Sequence, residues 1–190
     1  MTPMTAVERG SALVLALLTL TLLAGVGLAV TMTASTETLI AASFRSSEQA
    51  RYAADAAVEW ALVDLGTPGL DWSAVASGTI RSAFVDGVAD GLRSLGDGTS
   101  LDLGALVAAN RPFVPYAHGR LAAAVTPPGF ADFGVPGFYL VVLVAADPAA
   151  PGRLGLRAEA FGPRGAHKSV MAGLSRSDAG VHLDRWTQIR

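Results

Sequence analysis

The sequence predicts an α+β fold, in which one long N-terminal helix, apolar in its first half, precedes an antiparallel β-meander. Three observations carry this. From Ser11 to Thr36 no residue is charged, and Ala12 to Val30 is almost entirely Leu, Val and Ala. From there to Leu65 the chain holds neither Pro nor Gly and is rich in strong helix formers. After residue 137, runs of Val, Leu and alternating residues are separated by Pro/Gly turns.

The chain has 190 residues, enough for one modest domain and an additional segment. Its apolar fraction of 51% and mean hydropathy of +0.43 are high, and the excess lies mainly in the first third. A net charge of −2, with Lys and Arg unclustered, predicts no nucleic-acid partner. The absence of cysteine excludes disulfides, thiol chemistry and Cys-based zinc sites.

About 20 apolar residues cross the ~30 Å hydrocarbon layer of a bilayer as a helix, and Ala12–Val30 meets that length. Thr19 and Thr21 do not forbid lipid burial, because their hydroxyls can bond to carbonyls one turn back. Gly25 and Gly27 would weaken a soluble helix but suit close packing within a membrane. The run has three readings: a cleaved secretory signal, a plain anchor, or a helix cut at its start and then retained. The first is disfavoured by an overlong apolar region and by Glu8 beside Arg9 at the start.

The residues C-terminal to the apolar run favour the third. Glu48, Tyr52, Asp55 and Glu59 form a polar stripe at helical spacing, while Ala50, Ala54, Ala57, Ala61 and Leu65 form a small apolar stripe on another face. Gly66-Thr67-Pro68-Gly69 stops the helix, with Gly66 at the C′ position. One helix from about Ser11 to Leu65 would be roughly 80 Å long.

Beyond it, Gly66 to about Arg111 is rich in Gly, Asp and Ser. Asp86, Asp90, Asp97 and Asp102 near glycines are the oxygen ligands that calcium takes, but their spacing fits no EF-hand or nonapeptide repeat. Solvated turns with a short helix at 80–92 are the preferred reading, and Trp60 and Trp72 are assigned to the core. The stretches 111–119 and 126–137 read as Pro-rich loops around a strand at 120–126. Three further strands are expected at 137–146, 153–162 and 168–177. In the second of these Leu154, Leu156, Ala158 and Ala160 share one face and Arg153, Arg157 and Glu159 the other. The tail from Asp178 is either a final strand or an exposed arm.

No catalytic motif is present: no G-x-S-x-G, no H-E-x-x-H, no P-loop. His118, His167 and His182 fall in loops or near the terminus and are assigned to the surface; Asp147 and Glu159 could approach each other only as any two hairpin residues do. We assign no catalytic residues, cofactor or metal, and no enzymatic activity.

"RGSALVLALL" (Arg9–Leu18) and "STETLIAASFRSSEQARYAADAAVEWAL" (Ser35–Leu62), above all "ARYAADAAVEWAL", resemble the N-terminal region of PilX-type minor pilins. They are also similar to the K-type minor pseudopilins of type II secretion. The resemblance covers about the first third of the chain. It implies a pilin-like fold with a leader at 1–10, a helix at 11–65 that is transmembrane and then periplasmic, and an extracytoplasmic domain at 66–190. It implies that prepilin peptidase cuts between Gly10 and Ser11, with N-methylation of Ser11. It implies residence in the inner membrane and then in a type IV pilus or secretion pseudopilus, with other pilins or pseudopilins and the inner-membrane assembly platform as partners.

Major pilins carry Phe at mature position one and Glu at position five; here Ser11 and Leu15 stand there. That Glu is thought to pair with a neighbour's amino terminus, and an unpaired charge in an apolar bundle is costly. Its absence implies a minor subunit, at the tip or in an initiating complex. The alternative is a membrane-anchored extracytoplasmic binding domain outside any filament.

Overall fold

The computed structural model describes residues 6–95, 97–120, 137–148, 150, 152–177 and 180–189. Two compact units divide the chain, Met1–Phe44 and Arg45–Arg190. The first is the N-terminal part of helix α1 (Ala6–Leu65); the second holds its remainder and everything after it. α1 thus starts ahead of Ser11. Ala6, Glu8 and Arg9 are compatible with helix, and nothing between Ala6 and Gly10 breaks it.

In the second unit, the elements after α1 are α2 (Trp72–Ala76), β1 (Leu92–Ser94), β2 (Ser100–Asp102), α3 (Leu103–Ala109), β3 (Val114–Arg120), β4 (Tyr139–Ala146), β5 (Arg153–Phe161), β6 (His167–Ser177) and β7 (Gly180–Ile189). β3 to β7 form an antiparallel meander in chain order, and β1 and β2 form a separate hairpin. This is the expected α+β plan, a long helix followed by an antiparallel sheet.

The small apolar stripe of α1 is the buried one. Ala50, Ala54, Ala57, Ala61 and Leu65 pack with Leu140, Val142 and Val144 of β4 and with the alternate apolar residues of β5 and β6. Alanines let helix and sheet approach closely, so the larger strand side chains fill the space between. Burying each such Val or Leu contributes about 1.5–3 kcal/mol. β4 is apolar on both faces because both are covered. Its other face, Tyr139, Val141 and Leu143, packs with Leu103 of α3 and with Phe113 and Phe161.

The end of α1 depends on distant residues. Its last turn carries no basic side chain to offset the helix dipole. Arg176 of β6 supplies the charge, donating from Nη2 to the Leu65 carbonyl (2.8 Å) and from Nη1 to that of Leu70 (2.6 Å). Its guanidinium lies 4.7 Å from the Trp72 ring centroid, and Trp72 Nε1 donates to the same Leu65 carbonyl (3.1 Å). Asp64, a carboxylate near the dipole's negative end, accepts from the Tyr116 hydroxyl (2.6 Å). Gly66 follows the helix as expected, but the left-handed residue of the turn is Gly69 (φ 81°).

Two expectations fail, and the tail takes the first of its two readings. Residues 80–92 form no helix, since Gly87 and Gly91 take positive φ (128° and 75°), which breaks helical geometry. Residues 114–119 are strand rather than loop. Pro115 sits at a register shift against β4, where its missing N–H is tolerated. The tail is a full strand, β7, paired with β6. The expected strand at 120–126 and loop at 126–137 lie almost wholly outside the described residues, which include Arg120 at the end of β3 and Gly137.

Candidate functional site

Gly10 and Ser11, where the resemblance led us to expect a processing cut, both lie within α1. The adjoining stretch is exposed throughout Ser11–Ala41, including Leu15, which is 62% exposed at the position where major pilins carry Glu. The helix is long and apolar enough to cross a membrane, with a peak mean hydropathy of 2.6.

Its threonine hydroxyls bond back to the helix itself. Thr19 donates to the Leu15 and Ala16 carbonyls (3.0 and 2.9 Å) and Thr21 to that of Leu18 (2.9 Å). Thr31, Thr33, Thr36 and Thr38 each donate to the carbonyl four residues back, at 2.8–3.0 Å. Each of these hydroxyls therefore spends its donor inside the helix, and from Ala12 to Ala34 the surface is largely methyls and apolar side chains. A Cβ added at Gly25 or Gly27 would meet nothing within 4 Å, so both leave an open notch where another helix can approach.

In the second unit, polar chemistry concentrates on the sheet face away from α1. His118, assigned to the surface from sequence, is fully buried on β3. It lies opposite Val141 on the face away from α1, whereas Tyr116 and Ala117 both pack in the α1-side core; the bulge after Pro115 breaks the alternation, so no simple period in the sequence marks His118 as buried. Its Nδ1 lies 2.8 Å from Asp86 Oδ1, which also accepts from the Tyr139 hydroxyl (2.9 Å) and Arg93 Nε (3.2 Å). Burial raises the Asp86 carboxyl, but bonds from Tyr139, His118 and Arg93 outweigh it and hold it below the ordinary value. Burial, with Asp86 as acceptor, pushes the Tyr139 hydroxyl well above its usual range. Asp86 and Arg93 are the partly exposed members of this cluster, which pins the segment before β1 to the sheet.

A second cluster centres on Glu159, 1% exposed, which accepts from Arg157 Nε (2.7 Å) and lies 3.0 Å from His167 Nε2. Burial raises its carboxyl, yet the His167 bond and the Arg157 charge and bond prevail and lower it. The register places Glu159 opposite Val141, far along the hairpin from Asp147, so those two carboxylates are not brought together. His167 is exposed and stacks on Phe161, and exposed His182 faces the Ser177 hydroxyl (2.9 Å).

Of the aspartates weighed as calcium ligands, Asp86, Asp97 and Asp102 have other partners. Asp102 caps α3 through the Ala105 N–H (3.0 Å). Asp97 accepts from the Thr99 N–H and hydroxyl and from the Arg164 N–H (2.6 Å), which lowers its carboxyl to about 2. Among the described residues, no three His, Asp or Glu side chains converge as a metal site would require.

No curated protein and no solved structure matches the chain. One family model does: PilX N-terminal, over residues 9–59. It begins at the Arg9-Gly10 junction, covers the apolar stretch and ends within the buried alanine stripe. Residues 9–59, about a quarter of the chain, are thus similar to the N-terminal region of PilX-type minor pilins.

Proposed function

We propose that the protein is a structural subunit, a minor pilin or pseudopilin, that takes part in initiation or at the tip of a type IV pilus or type II secretion pseudopilus. The observation that carries this is the match over residues 9–59, which spans a junction, a lipid-compatible helix and its amphipathic continuation. In this reading 1–10 is a leader, 11–65 the retained helix and 66–190 the extracytoplasmic domain. The precursor sits in the inner membrane as a single pass. Prepilin peptidase releases the leader, Ser11 becomes the methylated amino terminus, and the assembly platform moves the subunit out of the bilayer.

The helix surface supports the transfer. With threonine hydroxyls bonded internally and open notches at Gly25 and Gly27, it meets lipid chains and helices of other pilins equally well. Leu15 supports a tip or initiating position, since it offers no carboxylate to a neighbouring amino terminus. In this reading the Asp86 and Glu159 clusters are structural, their carboxylates taken up by His118, Tyr139 and Arg93 and by Arg157 and His167.

The test is the mass and N-terminal sequence of the protein from its native membrane, with and without active prepilin peptidase. A chain starting at Ser11 and carrying one extra methyl, seen only with the peptidase, is the expected result. Gly10→Asp should leave the chain unprocessed. An amino terminus that the peptidase does not change would refute the reading, and would leave an anchored domain outside any filament.

A further inference from the structure

The sheet has two edges, and the chain treats them differently. The β3 edge is covered: the Ser82 N–H donates to the Tyr116 carbonyl (3.0 Å), the His118 N–H to that of Phe84 (3.0 Å), and the Asp86 N–H to that of His118 (3.1 Å). Among the described residues, β7 has β6 as its one strand neighbour, and its other edge carries no backbone hydrogen bond. An open edge of this length is a template for another strand.

The edge is patterned. Arg185 lies opposite Gly173 while Leu183 lies opposite Leu174, so Asp184 is the extra residue of a bulge. Asp184 turns to the face away from α1, where it accepts from the Ser175 hydroxyl (2.8 Å) and lies 3.4 Å from Arg153 Nε. Arg185, opposite Gly173, shares that face. Leu183 and Trp186 stand on the α1 face, each 46% exposed. Regular strands alternate faces, but here two neighbours share one, and the order Leu-Asp-Arg-Trp runs apolar, charged, charged, apolar from either end. A regularly alternating strand matches only half of it. A second copy of β7, antiparallel, matches throughout: Leu183 meets the second copy's Trp186, Asp184 meets its Arg185, and His182 meets its Thr187.

We propose that β7 is a homodimerisation strand, pairing edge to edge with β7 of a second copy about a two-fold axis between Asp184 and Arg185. Such a contact is isologous and closes on itself, joining two five-stranded sheets into one. The bulge and the paired charges, which ordinarily blunt an edge, here select a single partner and register. The inference rests on the second unit alone and stands apart from any role in a filament.

The chain has no cysteine, so introduced thiols are the only ones present. Full-length Leu183→Cys and Trp186→Cys variants, differently tagged, are co-expressed, extracted in mild detergent, oxidised and run without reductant. Opposed residues bring their Cβ atoms to ~4.5–5.5 Å, close to disulfide reach, whereas Leu183 and its own copy are offset by ~10 Å along the strands. The expected result is a cross-linked heterodimer at least about tenfold above the dimer either variant gives alone. Adding Arg185→Glu to both chains places like charges opposite each other, and should cut the heterodimer about fivefold. Circular dichroism checks that each variant is folded, which half-exposed positions favour. No heterodimer from folded variants, or equal cross-linking in every combination, overturns the proposal. So does insensitivity to Arg185→Glu.

Discussion

Arg176 gives the sharpest quantitative test of how the helix end is held. Arg176→Ala removes two charge-assisted hydrogen bonds, to Leu65 and Leu70, and the stack on Trp72. Bonds to charged groups contribute about 1.5–3 kcal/mol each when buried. Arg176 is solvent-exposed, so screening and side-chain entropy reduce that. The stack adds about 0.5–1 kcal/mol, and the charge at the helix terminus about 0.3–1 kcal/mol. Trp72 Nε1 still serves the Leu65 carbonyl in the variant, so that acceptor is not orphaned. The net expectation is a loss of about 2 kcal/mol, with Arg176→Lys losing about half because it keeps charge but not the planar fork. All three tryptophans, Trp60, Trp72 and Trp186, lie in the second unit, so urea unfolding followed by their fluorescence reports on that unit. A loss of about 2 kcal/mol moves the midpoint down by about 1 M. An Arg176→Ala midpoint indistinguishable from that of the parent would show that α1 ends as it does without outside help.

Acid should unfasten the outer face of the sheet. Glu159 titrates below its ordinary value of 4.5 in the folded chain, so its contribution is complete above that value and fades as pH falls through the lowered one. Glu159→Gln should therefore destabilise at pH 7 by about 1–3 kcal/mol, and by progressively less as pH falls below the ordinary glutamate range, as a pH series of urea titrations would read. Asp97 acts further down, near its folded value of about 2, and Asp97→Asn should release the Arg164 turn, which amide exchange at Arg164 would detect. At Gly162 a Cβ would fall within the Phe138 ring, so Gly162→Ala should cost about 1–3 kcal/mol. Phe138→Ala should make that same change nearly neutral, and full additivity in the double variant would refute the steric account.

Much of this fold is legible in the amino-acid order. The alanine stripe of α1 and the alternation in β5 each reflect a local period imposed by one long-range requirement, burial on a single face. β4 is legible because it is buried on both. The elements that escape are those defined by their partners. β3 hides behind Pro112 and Pro115 and is a strand because β4 and the segment at Ser82–Asp86 supply hydrogen bonds on either side. The region 80–92 has helical apolar spacing, but two glycines and the pull of Asp86 toward His118 and Tyr139 hold it open. His118 and Glu159 are buried polar groups, and burial of that kind is set by which carboxylates and guanidiniums the fold delivers. Of the proposed functional region, the expected junction at Gly10–Ser11 and the apolar helix are linear features that can be read directly. The β7 edge cannot, because its meaning lies in a one-residue bulge.

The inward-facing threonines carry a consequence for motion. A transmembrane segment with outward hydroxyls is keyed: rotating it or sliding it by one residue breaks specific bonds to its neighbours. Here the hydroxyls of Thr19, Thr21, Thr31 and Thr33 answer only to their own helix, so rotation about the axis or displacement along it severs none of these bonds. The stretch is a smooth piston rather than a key, with the notches at Gly25 and Gly27 as its detents.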